Sequence, residues 1–312
     1  MTKVFIDGKE GTTGLRIFDR LSSRDDVSLI TLPDDLRKDI NARKEAINSS
    51  DIVFLCLPDA AAVEAVSLVE NENVRIIDAS TAHRTSEGWA YGLPELSAEH
   101  KESIRNGKRI ANPGCHASGF IALVYPLVKN GILPKDALLC CHSLTGYSGG
   151  GKKMIAEYES EDRNVLLSTP RQYGLSQTHK HLKEMKHISM LDTAPMFSPI
   201  VDDFYSGMEM TVQLFASQLN KGFGIEDVKK VYKELYTSPA VRYVDFDGKA
   251  MLAAGELSGM DNMIVSVFGN EERILLTSVY DNLGKGASGA AVQCMNIMTG
   301  ADEYKGLFFN QI

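Results

Sequence analysis

The sequence predicts an α/β protein of two domains, a parallel sheet wrapped by helices followed by an α+β domain. Three observations carry this. Short apolar strands alternate with amphipathic helices through the first third; runs of antiparallel character replace them after about residue 132; and 312 residues exceed one average domain.

In the first part, strands are expected at 4–6, 27–32, 52–57 and 74–78, with helices at 14–22, 37–48 and 60–70. Ligands of such sheets bind at the carboxyl ends of the strands. In the second part, 137–144, 208–215, 263–269 and 273–278 read as sheet and 225–236 as a helix. A glycine-rich stretch from 284 opens a last helix to about 299 that packs back on the first domain. The expected domains are therefore 1–112 with 285–312, and 113–284.

Composition narrows the class. A content of 44% hydrophobic and 24% charged residues is that of a globular protein, and a net charge of −8 disfavours nucleic acid or an anionic membrane as partner. Apolar runs fall short of a membrane span and no leader-like segment is seen at the N-terminus. Five cysteines without metal-type spacing fit a reducing, cytoplasmic compartment.

The first strand runs into Asp7-Gly8-Lys9-Glu10-Gly11-Thr12-Thr13-Gly14, a Gly-x-x-Gly-x-x-Gly variant of the dinucleotide fingerprint in its strand-to-helix setting. Bare glycines admit a pyrophosphate to the backbone, and N–H groups at the helix start, with Thr12 and Thr13, bind it. Asp34 and Asp35 stand where a ribose-binding acid is expected, but Arg37 and Lys38 follow and suit a 2′-phosphate. The residues alone leave NAD and NADP open.

Cys115 lies in Ala-Asn-Pro-Gly-Cys-His-Ala-Ser-Gly (111–119), just before a long apolar stretch. At a helix N-terminus, N–H groups and the macrodipole favour the thiolate, which is the nucleophilic form; a buried structural cysteine is the plain alternative. His179 and His181 share a face if extended and diverge by about 200° on a helix. A metal reading lacks a third ligand, so none is expected, whereas a thiol nucleophile calls for an acid/base group titrating near neutrality. The Gly146–Lys152 run reads as a flexible loop or as an anion cradle of N–H groups with Lys152.

In these segments, together with Leu-Cys-Leu-Pro-Asp (55–59), Asp-Ala-Ser-Thr-Ala-His-Arg (78–84), Tyr-Gly-Leu-Pro-Glu-Leu (91–96), His-Lys-His with Glu184, and Asp281–Gln293, the chain resembles the short form of the N-acetyl-γ-glutamyl-phosphate reductases of arginine biosynthesis. The resemblance implies a Rossmann domain completed by the last helix and an α+β domain of the semialdehyde and glyceraldehyde-3-phosphate dehydrogenase type. It implies NADPH-dependent reduction of an acyl phosphate to an aldehyde through a thioester on Cys115, with His179 as acid/base. Ser80 and Asn282 are expected at the cofactor, and Asn112, Arg84, Lys152 and His181 at the substrate, Asn112 also aiding the oxyanion. A homo-oligomer, dimer or tetramer, is expected. His116 stands where Tyr is commoner, adding a second titratable neighbour to the thiol, and Lys183 replaces a usual Pro, loosening the chain after His181. Aspartate-semialdehyde dehydrogenase is the neighbouring alternative; a non-catalytic NADP sensor would have lost the nucleophile, and Cys115 is present.

Overall fold

A computed structural model describes residues 1–246 and 248–310, which divide into two compact units. The first comprises Met1–Pro94, Ala98–Pro113 and Ala287–Leu307. Its elements are β1 (Thr2–Asp7), α1 (Thr12–Ser22), β2 (Val27–Ile30), α2 (Ile40–Asn48), β3 (Ile52–Leu55), α3 (Asp59–Ser67), β4 (Arg75–Asp78), β5 (Ala90–Tyr91), α4 (Ala98–Asn106) and β6 (Arg109–Ala111). The six strands form an all-parallel sheet in the order β2-β1-β3-β4-β6-β5.

The two-residue period of a strand explains both layers. Val4, Ile52, Phe54 and Ile77 point to one face, where Ile17 and Leu21 of α1 meet Ala291, Val292 and Met295 of the final helix. Phe5, Val53, Leu55 and Ile76 point to the other, against Ala46 and Ile47 of α2 and Ala62 and Ala65 of α3. A strand buried on both faces reads as a continuous apolar run, as β3 (Ile-Val-Phe-Leu) does. The helix expected from 37 starts at Ile40, because the Asp39 carboxylate accepts from the N–H groups of Asn41 and Ala42 and so caps it there.

The second unit comprises Glu95–Ser97, Gly114–Gly286 and residues 308–310. It contains α5 (Cys115–Lys129), β7 (Cys140–Gly146), α6 (Gly151–Tyr158), β8 (Arg171–Gln172), α7 (His181–Ile188), β9 (Met196–Asp202), β10 (Met208–Phe215), α8 (Ile225–Leu235), β11 (Val241–Tyr243), β12 (Met263–Gly269) and β13 (Arg273–Tyr280). Its mixed sheet runs β11-β12-β13-β10-β7-β9-β8. Residues 308–310, expected with the first domain, belong here: Asp261 N–H donates to the Phe308 carbonyl and Phe308 N–H to the Asp261 carboxylate. A π-helical turn, Gly284–Ser288, precedes the last helix, α9 (Gly289–Thr299).

Helix α5 is buried from His116 to Val128 and packs on β10, β13, α7 and α8. Pro126 inside it has no N–H to give the Ala122 carbonyl four residues back. The Tyr236 hydroxyl fills that vacancy at 2.5 Å, and the Tyr232 hydroxyl donates to the next carbonyl, that of Leu123.

Candidate active site

Cys115 is the first residue of α5, with extended Gly114 as the N-cap and the Ser118 N–H bonding back to the Gly114 carbonyl at 2.8 Å. Helix N–H groups and the macrodipole converge there. Three contacts hold this backbone. The Tyr280 hydroxyl donates to the Cys115 carbonyl at 2.7 Å while accepting from Gly119 N–H at 3.2 Å. The Glu184 carboxylate accepts from Gly114 N–H at 3.2 Å. Gly286 lies so close that a Cβ there would sit 3.1 Å from that of Cys115. Cys115 is half-buried, while burial pushes the Cys56 thiol up to about 12 and the Cys141 thiol higher still.

Beside this helix start, three histidines pack ring to ring. His179 lies 4.7 Å from His181, and His116 lies 5.7 Å from each, with the Phe197 ring closing against His116 and His179. The two spacings weighed for His179 and His181 both miss the geometry, because the pair straddles the start of α7. The His181 N–H donates to His179 Nδ1 at 3.2 Å. That makes Nδ1 the acceptor in this bond. The loop before α7 is strapped to β9 by Gln177, whose amide donates to the Phe197 carbonyl at 2.7 Å and accepts from its N–H at 2.9 Å. Lys183 lies in the first turn of α7, not in a loop, where a lysine continues the helix as well as a proline would start it.

His116 does not compete as acid/base. Burial, then the nearby His179, push it down to about 3, so the ring is neutral and accepts or donates only hydrogen bonds: Nδ1 with Ser143 Oγ at 2.9 Å and Nε2 with the Tyr173 hydroxyl at 2.7 Å. Sequence reasoning missed Tyr173, Ser143, Gln177 and Tyr280, which carry no motif and find their partners only through pairing of distant strands. Among the described residues no group of three or more His, Cys, Asp or Glu is arranged to hold a metal.

In the first unit, the glycine loop has the form a dinucleotide needs. Gly8 has φ +85°, and a Cβ on it would lie 2.4 Å from the Cys56 carbonyl oxygen; one on Gly14 would lie 2.5 Å from the Gly8 oxygen. Gly11 caps α1, so Thr12 and Thr13 open the helix. A cavity of about 420 Å3 beside the loop is lined by Gly8, Lys9, Thr31, Asp34, Arg37 and Lys38. Arg43, unmarked in the sequence, forms part of its wall and bonds the buried Asp7 carboxylate at 3.0 Å and Glu64 at 2.7 Å. Burial raises the pKa of Asp7 against the opposing pull of Arg43.

Several expected contacts are committed elsewhere. Asn282, expected at the cofactor, accepts from Gly207 N–H at 2.9 Å and donates to Ser148 Oγ at 3.1 Å. Arg84, expected at the substrate, is buried and donates to the carbonyls of Asn112 and Ala79, tying together the chain ends beyond β6 and β4. Asn112 donates one amide N–H to the Ala287 carbonyl, and its buried Oδ1 meets no partner among the described residues. Ser80 donates to Asp78 and accepts from Ala82 N–H, ordering the turn after β4. Lys152 is exposed at the start of α6. The loop before it is no free cradle: the N–H groups of Gly146, Tyr147 and Ser148 all bond carbonyls of the 204–207 segment.

Comparison with known proteins gives this geometry its setting. Residues 3–104 match the semialdehyde dehydrogenase NAD-binding domain and residues 115–282 the semialdehyde dehydrogenase dimerisation domain. The chain is 42% identical to N-acetyl-γ-glutamyl-phosphate reductase 2 of Nostoc sp., covering 98% of this chain and 99% of that protein. It is 43% identical to the N-acetyl-γ-glutamyl-phosphate reductase of Rhizobium meliloti, covering 96% and 99%. Aspartate semialdehyde dehydrogenase II of Vibrio cholerae, solved in complex with ASA, shares the fold at a TM-score of 0.71 and 16% identity over 96% of this chain and 98% of that one. With a dinucleotide loop, a cysteine at a helix start, and near-full-length identity above 40%, the chain belongs to the N-acetyl-γ-glutamyl-phosphate reductase family of the semialdehyde dehydrogenases.

Proposed function

We propose that the chain reduces N-acetyl-γ-glutamyl phosphate to N-acetylglutamate semialdehyde and phosphate, reversibly, in cytoplasmic arginine biosynthesis. The observation that carries this is the meeting of Cys115, at the start of α5, with a histidine cluster in which His179 Nδ1 accepts from the His181 N–H. The Cys115 sulfur bonds to the acyl carbon as the carbon–oxygen bond to phosphate breaks, leaving a thioester. N–H groups of the first turn of α5 face the developing oxyanion. Bound NADPH supplies the hydride. His179 Nε2 protonates the hemithioacetal oxygen, then takes the proton back as the sulfur leaves and the aldehyde forms.

The cofactor's pyrophosphate fits the bare Gly8–Gly14 loop and the start of α1, with Thr12 and Thr13 beside it. Arg37 and Lys38, on the cavity wall, suit a 2′-phosphate and favour NADP, although Asp34 lies 4.0 Å from Arg37 and offsets part of its charge. Lys152 and His181 remain the candidates for substrate contact. The matched dimerisation domain supports a homo-oligomer, dimer or tetramer.

The test is reduction of NADP with N-acetylglutamate semialdehyde plus phosphate, run beside aspartate semialdehyde. Turnover with the first and little with the second is expected; the reverse preference overturns the substrate. Cys115→Ser should abolish turnover while leaving NADP binding nearly intact, and activity within about tenfold of the parent would sink the covalent route.

A further inference from the structure

The cavity beside the glycine loop holds a cation to which the steps above give no role. Lys9 follows Gly8 at the turn after β1 and is half-buried, whereas Arg37 and Lys38, which line the same cavity, are exposed. Its ammonium lies over the Phe18 ring, 4.6 Å from the centroid. Phe18 stands six residues beyond Thr12 in α1, about 9 Å along the axis at the rise of a helix. The ring packs against the same apolar cluster as Leu29 of β2, and both residues line the cavity. Strand β2 is the edge strand, and the chain that leaves it carries Arg37 and Lys38.

We propose that Lys9 takes the ribose 2′-phosphate of NADP, completing with Arg37 and Lys38 a site for a phosphate monoester built from two chain segments. This deepens the cofactor reading above and rests on it. The charge of Lys9 is available. Among the described residues no carboxylate pairs with its ammonium, while the neighbouring charges are committed: Arg43 bonds Asp7 and Glu64, and Asp34 lies 4.0 Å from Arg37. Glu10, the other acid lining the cavity, is exposed. An aromatic face orients an ammonium without neutralising it, as a carboxylate would. A half-buried charge is also screened less by solvent than an exposed one, so Lys9 acts more strongly on a phosphate than either Arg37 or Lys38. The pyrophosphate has its own donors in the bare backbone of the glycine loop and the N–H groups that open α1. An ammonium drawn over Phe18, toward β2, is left for the third phosphate, which NAD lacks.

The experiment is calorimetric titration of the full chain with NADP, NAD, adenosine 2′,5′-bisphosphate and ADP. Lys9→Met keeps an unbranched apolar stem over Phe18 and removes the charge. It should weaken NADP and the 2′,5′-bisphosphate about tenfold, the scale of one charge-assisted hydrogen bond, and leave NAD and ADP within about twofold of the parent. Lys9→Arg should stay near the parent, because the phosphate needs the charge. Unchanged binding of NADP in Lys9→Met overturns the proposal. Equal weakening of all four ligands overturns it too, since Lys9 would then serve the phosphate groups that all four share. A loss in Lys9→Arg as large as that in Lys9→Met overturns the role of charge. Failure of the cofactor reading looks different: the parent protein itself would bind neither NADP nor NAD.

Discussion

At Gly8 and Gly14 the chain has no room for a Cβ, whereas around the start of α5 three separate segments bring polar side chains. At the glycine loop, positions 8 and 14 lie against backbone oxygens at distances that no Cβ tolerates. Around the start of α5, Tyr280 comes from β13, Ser143 from β7, and Tyr173, His179 and Glu184 from the single stretch 173–184. The first is shaped by atoms left out and the second by groups brought in. The two should therefore fail in opposite ways: adding a methyl breaks one, deleting a polar atom breaks the other.

The largest effect expected in this contrast is on chemistry alone. His179→Asn should lower kcat by about 10²–10⁴-fold, the usual yield of a positioned acid/base. In the direction of aldehyde oxidation, Nε2 must be unprotonated to take the hemithioacetal proton, so the rate should rise with pH through a limb near neutrality. That limb should vanish in the variant. His116, held neutral down to about 3, cannot supply it, and His116→Gln should keep it. A profile preserved in His179→Asn and lost in His181→Asn would move the role to His181.

Gly14→Ala should do the converse. Its methyl meets the Gly8 oxygen and the Lys9 Cα, neither of which can swing away, so the turn must shift. Overpacking of this kind costs about 1–3 kcal/mol. Calorimetry should show weakened NADP binding and a lowered Tm, while the alkylation rate of Cys115 stays at the parent value. Undiminished NADP affinity would show that the loop does not bind the pyrophosphate. The smallest effect concerns side chains at the rim of the same cavity. Replacing Arg37 and Lys38 with Ala should weaken NADP by about tenfold or more and NAD little, one or two charge-assisted contacts being lost. Equal weakening of both cofactors would return the ribose to Asp34.

What could be read from the residues divides along the same line. The parallel sheet was legible because each strand, turn and helix is a local pattern, and the glycine loop completes its geometry within one βα unit. The loop-to-helix placement of Cys115 was legible for the same reason. Strand β9 was not, because Met-Phe-Ser-Pro-Ile-Val-Asp has a proline that argues against a strand, yet Pro199 pairs across from Ser143 in the parallel ladder with β7. With β9 unseen, the strap from Gln177 and the placement of Tyr173 and His179 were out of reach. Arg84 and Asn282 were only half legible for another reason. Both look like ligand groups by type, but each satisfies buried backbone groups that only the folded chain reveals.

The proline in α5 has a mechanical consequence. A helix with an interior proline is ordinarily a hinge, free to bend at the missing bond. Here Tyr232 and Tyr236 grip the carbonyls on the proline's N-terminal side, and Tyr280 grips the Cys115 carbonyl at the start of the rod. A rod pinned at its start and at its middle resists sliding along its axis and bending at its weak point. The freedom left to the Cys115 sulfur is then rotation about the Cα–Cβ bond of its own side chain. Three phenols, remote in sequence and absent from every reacting bond, set the tolerance to which the sulfur is aimed.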